Sequence, residues 1–117
     1  MLHHRSTSKL GREKNQRLAL LRTLAVSLIK HGRIKTTEAK AKALRPFVEK
    51  MVTKARSGNL ASERLVISQL GQKTAAYKLI KEVAPRMKGR PGGYLRIIKI
   101  SSRRADAAPE ALIEFVA

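Results

Sequence analysis

The chain has 117 residues and a formal net charge of +18, from 26 Lys and Arg against 8 Asp and Glu. The length fits one domain, and a hydrophobic content of 43% supplies a core and argues against wholesale disorder. The absence of cysteine excludes disulfides, thiolate metal sites and thiol nucleophiles, and with two Phe, two Tyr and no Trp, aromatic stacking on many bases is not available.

Residues 1–11 have no sustained periodicity and read as an extended basic arm. A first helix is predicted over residues 12–31. Leu18, Leu21, Ala25, Leu28 and Ile29 keep the spacing of one buried face, Leu20 and Leu24 widen it, and His31-Gly32 is a stop signal. Arg33 to Thr37 favours a strand. Thr36 or Thr37 then caps a second helix, running to about Arg56 on the stripe Leu44, Phe47, Val48, Met51, Val52 and Ala55. Pro46 interrupts that stripe without shifting its phase, which predicts a kink or a restart near Arg45. Ser57-Gly58-Asn59 breaks the helix, and Leu60 to Leu70 forms a third, ended by Gly71. A fourth helix is expected from Ala75 to Ala84, capped by Thr74, with Ala76, Leu79, Ile80 and Val83 inward and Pro85 as its end. Residues 85–93 read as a basic loop. Tyr94 to about Ser102 and Ala111 to Val116 read as strands, the latter with Ala111, Ile113 and Phe115 on one face. The linker Arg103 to Pro109 is short enough for a hairpin. The order arm-α-β-α-α-α-β-β predicts a two-layer α+β domain over residues 12–117, its small three-stranded sheet packed against helices.

The charge is uneven along this plan. Residues 1–35 carry net +8 and residues 85–104 net +7, whereas residues 105–117 carry net −3. An Arg-rich, acid-poor start resembles a transit peptide, but the excess resumes at residues 85–104, which no targeting segment explains. The charge therefore calls for a polyanion. No apolar run approaches the roughly 18 residues of a membrane span. A membrane surface fits poorly too, because the apolar faces are spread over several elements and committed to one core. DNA would require a reading helix. The one following Ser57-Gly58-Asn59 offers only Glu63, Arg64, Ser68 and Gln69 as polar readers. An arm plus a basic loop on a small domain suits a folded RNA better.

Catalysis has no constellation to support it. The acids fall on helix faces or near the C-terminus, and neither a nucleophile elbow nor a phosphate loop of the GxxxxGK[ST] type is present. His3 and His4 have no carboxylates within reach by sequence, so no metal or other cofactor is expected. Gly89-Arg90-Pro91-Gly92-Gly93-Tyr94 is the informative segment: glycines let a backbone approach another surface, and their N–H groups cradle anions. The expected RNA contacts are His3, His4, Arg5, Lys9, Arg12, Lys14 and Arg17 in and after the arm. In and around the loop they are Arg86, Lys88, Arg90, Gly92, Gly93, Arg96, Arg103 and Arg104. The two groups are expected on one side of the core. Lys40 and Lys42 read as solvated or as diffuse contacts.

The residues also resemble a known family. Lys9-Leu10-Gly11-Arg12, Arg17-Leu18-Ala19-Leu20-Leu21-Arg22, Ile34-Lys35-Thr36-Thr37 and Lys40-Ala41-Lys42 are similar to the first half of the bacterial large-subunit ribosomal protein numbered seventeen. Gly92-Gly93-Tyr94, Arg96-Ile97 and Asp106-Ala107-Ala108-Pro109 resemble its C-terminal pattern. Gln16, Leu95, Ala105 and Pro46 depart from it. The resemblance implies a structural constituent of the cytoplasmic ribosome that binds large-subunit ribosomal RNA and touches neighbouring large-subunit ribosomal proteins. It implies no enzymatic activity and no small-molecule substrate. The alternative reading is a free DNA-binding or nucleoid-associated protein.

Overall fold

The computed structural model describes residues 13–100 and 109–116. The arm, and with it the boundary between arm and domain, lies outside the described residues, as does the 101–108 connection.

Helix α1 spans Lys14–His31 and stops at Gly32, whose φ of 81° is left-handed and whose N–H reaches the Leu28 carbonyl at 2.7 Å. Ala25, Leu28 and Ile29 are its buried residues. Leu18, expected inward, is 36% exposed, because the first turns of α1 carry the stripe beyond the core. Strand β1 follows directly, Arg33–Thr37.

Thr37 caps helix α2 (Glu38–Arg56), its side chain accepting from the Lys40 N–H at 3.3 Å. Ala41, Leu44, Val48, Met51, Val52 and Ala55 form a buried stripe along α2. The helix runs unbroken through Pro46, so the expected restart does not occur. Pro46 is on the exposed side of the helix, away from the buried stripe, so the backbone bond it removes is not lost inside the core. Helix α3 (Leu60–Leu70) begins at Asn59, whose side chain accepts from the Ser62 N–H at 2.8 Å, and ends at Gly71 in the left-handed region.

Helix α4 departs most from the sequence reading. It starts at Lys73 with no side-chain cap, so Thr74 lies exposed inside the first turn rather than at the N-cap. It continues as Lys73–Lys78, a π-helical turn at Leu79–Val83 and a last turn Ala84–Arg86. Pro85 therefore does not end it. In a regular α-helix the proline ring would meet the Lys81 carbonyl, and the wider π turn just before it relieves that clash. The packing explains why the turn is there. Ala75, Ala76, Leu79, Ile80, Val83, Ala84 and Met87 are all buried and recur every four residues. At about 100° per residue a regular helix would let that pattern drift by about 120° over three repeats. One extra residue in a π turn cancels most of the drift and keeps the stripe on the core.

Strands β2 (Leu95–Ile100) and β3 (Glu110–Phe115) complete an antiparallel sheet of order β1-β3-β2. Ile113 stands between Ile34 and Ile97, and Glu114 between Arg33 and Arg96. Ala111 and Ile113 are fully buried under the helices, with Ile34, Ile97 and Phe115 packed against the core. The opposite face carries Arg96 and Ile98, the latter 42% exposed. One layer of helices on one face of a sheet is the two-layer α+β architecture expected.

Candidate nucleic-acid interface

The glycine loop grows out of the end of α4. Met87 is fully buried and anchors it, its N–H donating to the Ala84 carbonyl at 3.0 Å. A turn follows, in which the Arg90 N–H donates to the Met87 carbonyl at 3.0 Å and Gly89 takes φ 90°. Lys88 and Arg90 are exposed on this turn, and neither has an ion pair among the described residues.

Tyr94 holds the other end. Its ring is 1% exposed, so it belongs to the core and is not a platform for bases. Its hydroxyl lies 3.2 Å from the Thr53 hydroxyl and donates to the Arg90 carbonyl at 3.4 Å. The Arg56 guanidinium, at the end of α2, donates to both the Tyr94 hydroxyl and the Arg90 carbonyl and lies 5.7 Å from the ring centroid. Beyond Tyr94, the Leu95 N–H donates to the Glu49 carboxylate at 3.3 Å, and the Tyr94 carbonyl accepts from Val116 at 3.0 Å. The loop is thus tied to α2 and β3 at its base, with its cations facing outward. Arg56 was missed by the sequence reading because nothing in a helical Lys-Ala-Arg run marks a residue that reaches 34 positions along the chain.

The two neighbouring glycines have different reasons to be there. Gly93 takes φ 65°, a left-handed backbone that other residues adopt at a cost. Gly92 lies outside that range, and a Cβ built on it would meet no protein atom within 4 Å. Among the described residues nothing requires glycine at 92.

Arg96 projects from the open sheet face and pairs with Glu114 at 3.3 Å, with Arg33 on the other side of the same carboxylate at 4.0 Å. Its side chain is half exposed, and a pair of this kind is worth about 0–1 kcal/mol, so it exchanges readily for another anion. Lys42 and Lys99 share the Glu38 carboxylate at 3.1 and 3.5 Å, so Lys42 is paired rather than simply solvated. The hydrogen bond and charge of Lys42, helped by Lys99, hold the Glu38 carboxyl below its ordinary value.

Arg86 faces elsewhere. It lines a cleft of about 550 Å³ with the end of α1 and Phe115 of β3. Lys14 and Arg17 are at the opposite end of α1, about 25 Å away along its axis. Of the described members of the two basic groups, Lys14 and Arg17 are thus separated from Arg86 by the length of α1. His3, His4, Arg5, Lys9, Arg12, Arg103 and Arg104 lie outside the described residues. Among the described residues no group of three or more His, Asp or Glu could hold a metal ion, and no helix is long and apolar enough to cross a membrane.

A family model described as ribosomal protein L17 matches residues 20–116. A protein of Methylacidiphilum infernorum named large ribosomal subunit protein bL17 is 53% identical over 115 residues, 98% of this chain and 88% of the relative. The protein of that name from Gemmatimonas aurantiaca is 52% identical over 99% of this chain and 98% of its own length. The one from Thermomicrobium roseum is 52% identical over the full length of both.

Proposed function

The chain belongs to the ribosomal protein L17 family, and from that premise we propose that it is a structural constituent of the large ribosomal subunit that binds large-subunit ribosomal RNA through its glycine loop and its basic arm. No catalysis is part of this role.

The observation that supports the loop is Gly92. A glycine with no backbone or packing reason of its own, between the exposed Arg90 and a buried tyrosine anchor, leaves open backbone for a phosphate to approach. Lys88 and Arg90 supply the charge, and Arg96 supplies more by exchanging Glu114 for phosphate. The Arg56–Tyr94 tie means that the loop does not have to be ordered when RNA arrives, which saves binding free energy. The arm contributes His3, His4, Arg5, Lys9 and Arg12, with Lys14 and Arg17 continuing it onto α1. Because Lys14 and Arg17 lie a helix length from Arg86, the two regions engage separate RNA segments. Contacts to neighbouring ribosomal proteins accompany this role. The DNA-binding alternative gains nothing from α3, whose exposed positions include Leu60 and Leu65 where base-edge readers would be needed.

The test is binding of the purified chain to a large-subunit ribosomal RNA transcript across a salt series. Each phosphate contact steepens the log–log salt dependence by about 0.7–0.9. The double variant K88Q/R90Q should lose about 1.4–1.8 of slope, and deletion of residues 2–12 should lose more while the remaining domain stays folded. Unchanged slopes in both would refute the assignment.

A further inference from the structure

Arg86 sits in a cleft that neither the arm nor the glycine loop explains. Four basic side chains line it: Lys30 and His31 at the end of α1, and Lys78 and Arg86 on α4. The one acid there, Glu82, has no ion pair among the described residues. Several carbonyls at this end of α1 already have donors, two of them from these same cations. Gly32 N–H takes Leu28, His31 Nδ1–H takes Ser27 at 3.2 Å, Lys78 Nζ takes Lys30 at 2.9 Å and Phe115 N–H takes Gly32 at 3.2 Å. Among the described residues Arg86 uses only Nε, on the Glu82 carbonyl at 3.1 Å, which leaves its two terminal nitrogens for an external acceptor. Phe115 forms an apolar wall beside them.

The π turn is what assembles this group. Lys78 and Arg86 are eight residues apart, and in a regular α-helix they would point about 80° apart around the axis. One inserted residue makes them seven regular steps apart and closes that angle to about 20°. The same insertion that keeps the apolar stripe on the core therefore brings both cations over the end of α1. π turns are energetically poorer than α turns and concentrate at functional positions.

We propose that this cleft is a separate binding site for an RNA backbone phosphodiester, held by Lys30 and the terminal nitrogens of Arg86, with Lys78 and His31 as further donors and the adjoining sugar against Phe115. The inference rests on the reading of the chain as an RNA-binding ribosomal protein and adds a third contact region to it. It uses Arg86 apart from the loop in which the sequence grouped it.

The experiment measures the affinity of the full chain for a large-subunit ribosomal RNA transcript against KCl concentration. It compares wild type, K30Q/R86Q, K30R/R86K and K88Q/R90Q with K50Q, which removes an exposed charge on α2 outside every proposed contact. Thermal melts check that each variant is folded. K30Q/R86Q should lose at least one phosphate's worth of slope, about 0.7–0.9, with K30R/R86K restoring most of it and K50Q leaving it unchanged. A slope for K30Q/R86Q equal to that of K50Q overturns the cleft, and so does a loss that the charge-conserving K30R/R86K fails to restore. If K88Q/R90Q weakens binding in that same series, the RNA-binding reading survives and only the cleft fails. If wild type binds the transcript no better than a DNA duplex of equal length, the RNA-binding reading itself fails.

Discussion

Gly92 and Gly93 are adjacent, yet alanine at the two should act in opposite directions on stability. At Gly93 the backbone φ is 65°, and an alanine there costs about 1–2 kcal/mol in the left-handed region. At Gly92 the backbone is outside that region and the space around a Cβ is empty. Alanine there restricts the unfolded chain without straining the folded one, a gain of about 0.4–1 kcal/mol. For a domain of this size that raises the melting temperature by roughly 2–6 °C. RNA binding should nevertheless weaken, because the new methyl occupies the side from which a phosphate approaches the backbone. Loss of one charge-assisted hydrogen bond, about 1.5–3 kcal/mol, corresponds to about tenfold or more in Kd. The assays are urea unfolding of both variants and their affinity for a large-subunit ribosomal RNA transcript. A more stable Gly92→Ala protein with weaker RNA binding cannot owe the loss to unfolding. Wild-type affinity in Gly92→Ala would refute the close approach at 92, and a destabilised Gly92→Ala would refute the account of its backbone.

Two further outcomes follow from the same structure. Arg56→Met removes the tie between α2 and the loop and should cost about 1–2 kcal/mol; amide exchange at residues 88–93 should quicken while the exchange of α2 is unchanged, and equal protection in both proteins would show that Tyr94 alone holds the loop. The Glu38 carboxyl titrates below its ordinary value of 4.5 in the folded chain, so its contribution is present above pH 4.5 and is lost as the pH falls through the lowered value. Urea midpoints measured from pH 6 to pH 3 should fall less steeply for Glu38→Gln than for wild type, and parallel curves would deny Glu38 that role.

The parts of the fold that announced themselves were those whose apolar spacing matched a regular element. The α2 stripe from Leu44 to Ala55 and the alternation Ala111, Ile113, Phe115 needed nothing beyond periods of 3.6 and 2. The glycines at 32 and 71 ended α1 and α3 because a left-handed residue closes a helix. Helix α4 differs from the sequence reading at both ends: Thr74 suggested a cap it does not form, and Pro85 suggested an end. Pro85 was read as a terminus on proline's general helix-breaking preference, whereas the buried residues recur every four positions, a period that belongs to neither regular element. Read as a period of four, Ala75, Ala76, Leu79, Ile80, Val83 and Ala84 would have signalled the π turn. The loop's cations Lys88 and Arg90 were legible as exposed charge beside glycine. Arg56, Lys30 and Lys78 were not, because their roles depend on contacts with residues 34 to 48 positions away.

The sheet order has a consequence for the making of the protein. Among the described residues β1 and β2 each pair only with β3, which is both the central strand and the last of the three in sequence. Arg33 waits for Glu114, 81 residues further on, before its strand has any partner. During synthesis the helices have their core-facing stripes complete while both emerging strands carry unpaired edges. The final strand then closes both ladders in one event, so loss of β3 removes the whole sheet rather than a third of it. Non-local closure of this kind is the slow step in domains of this size, and until it occurs the nascent chain depends on its high positive charge to keep those open edges from pairing with one another.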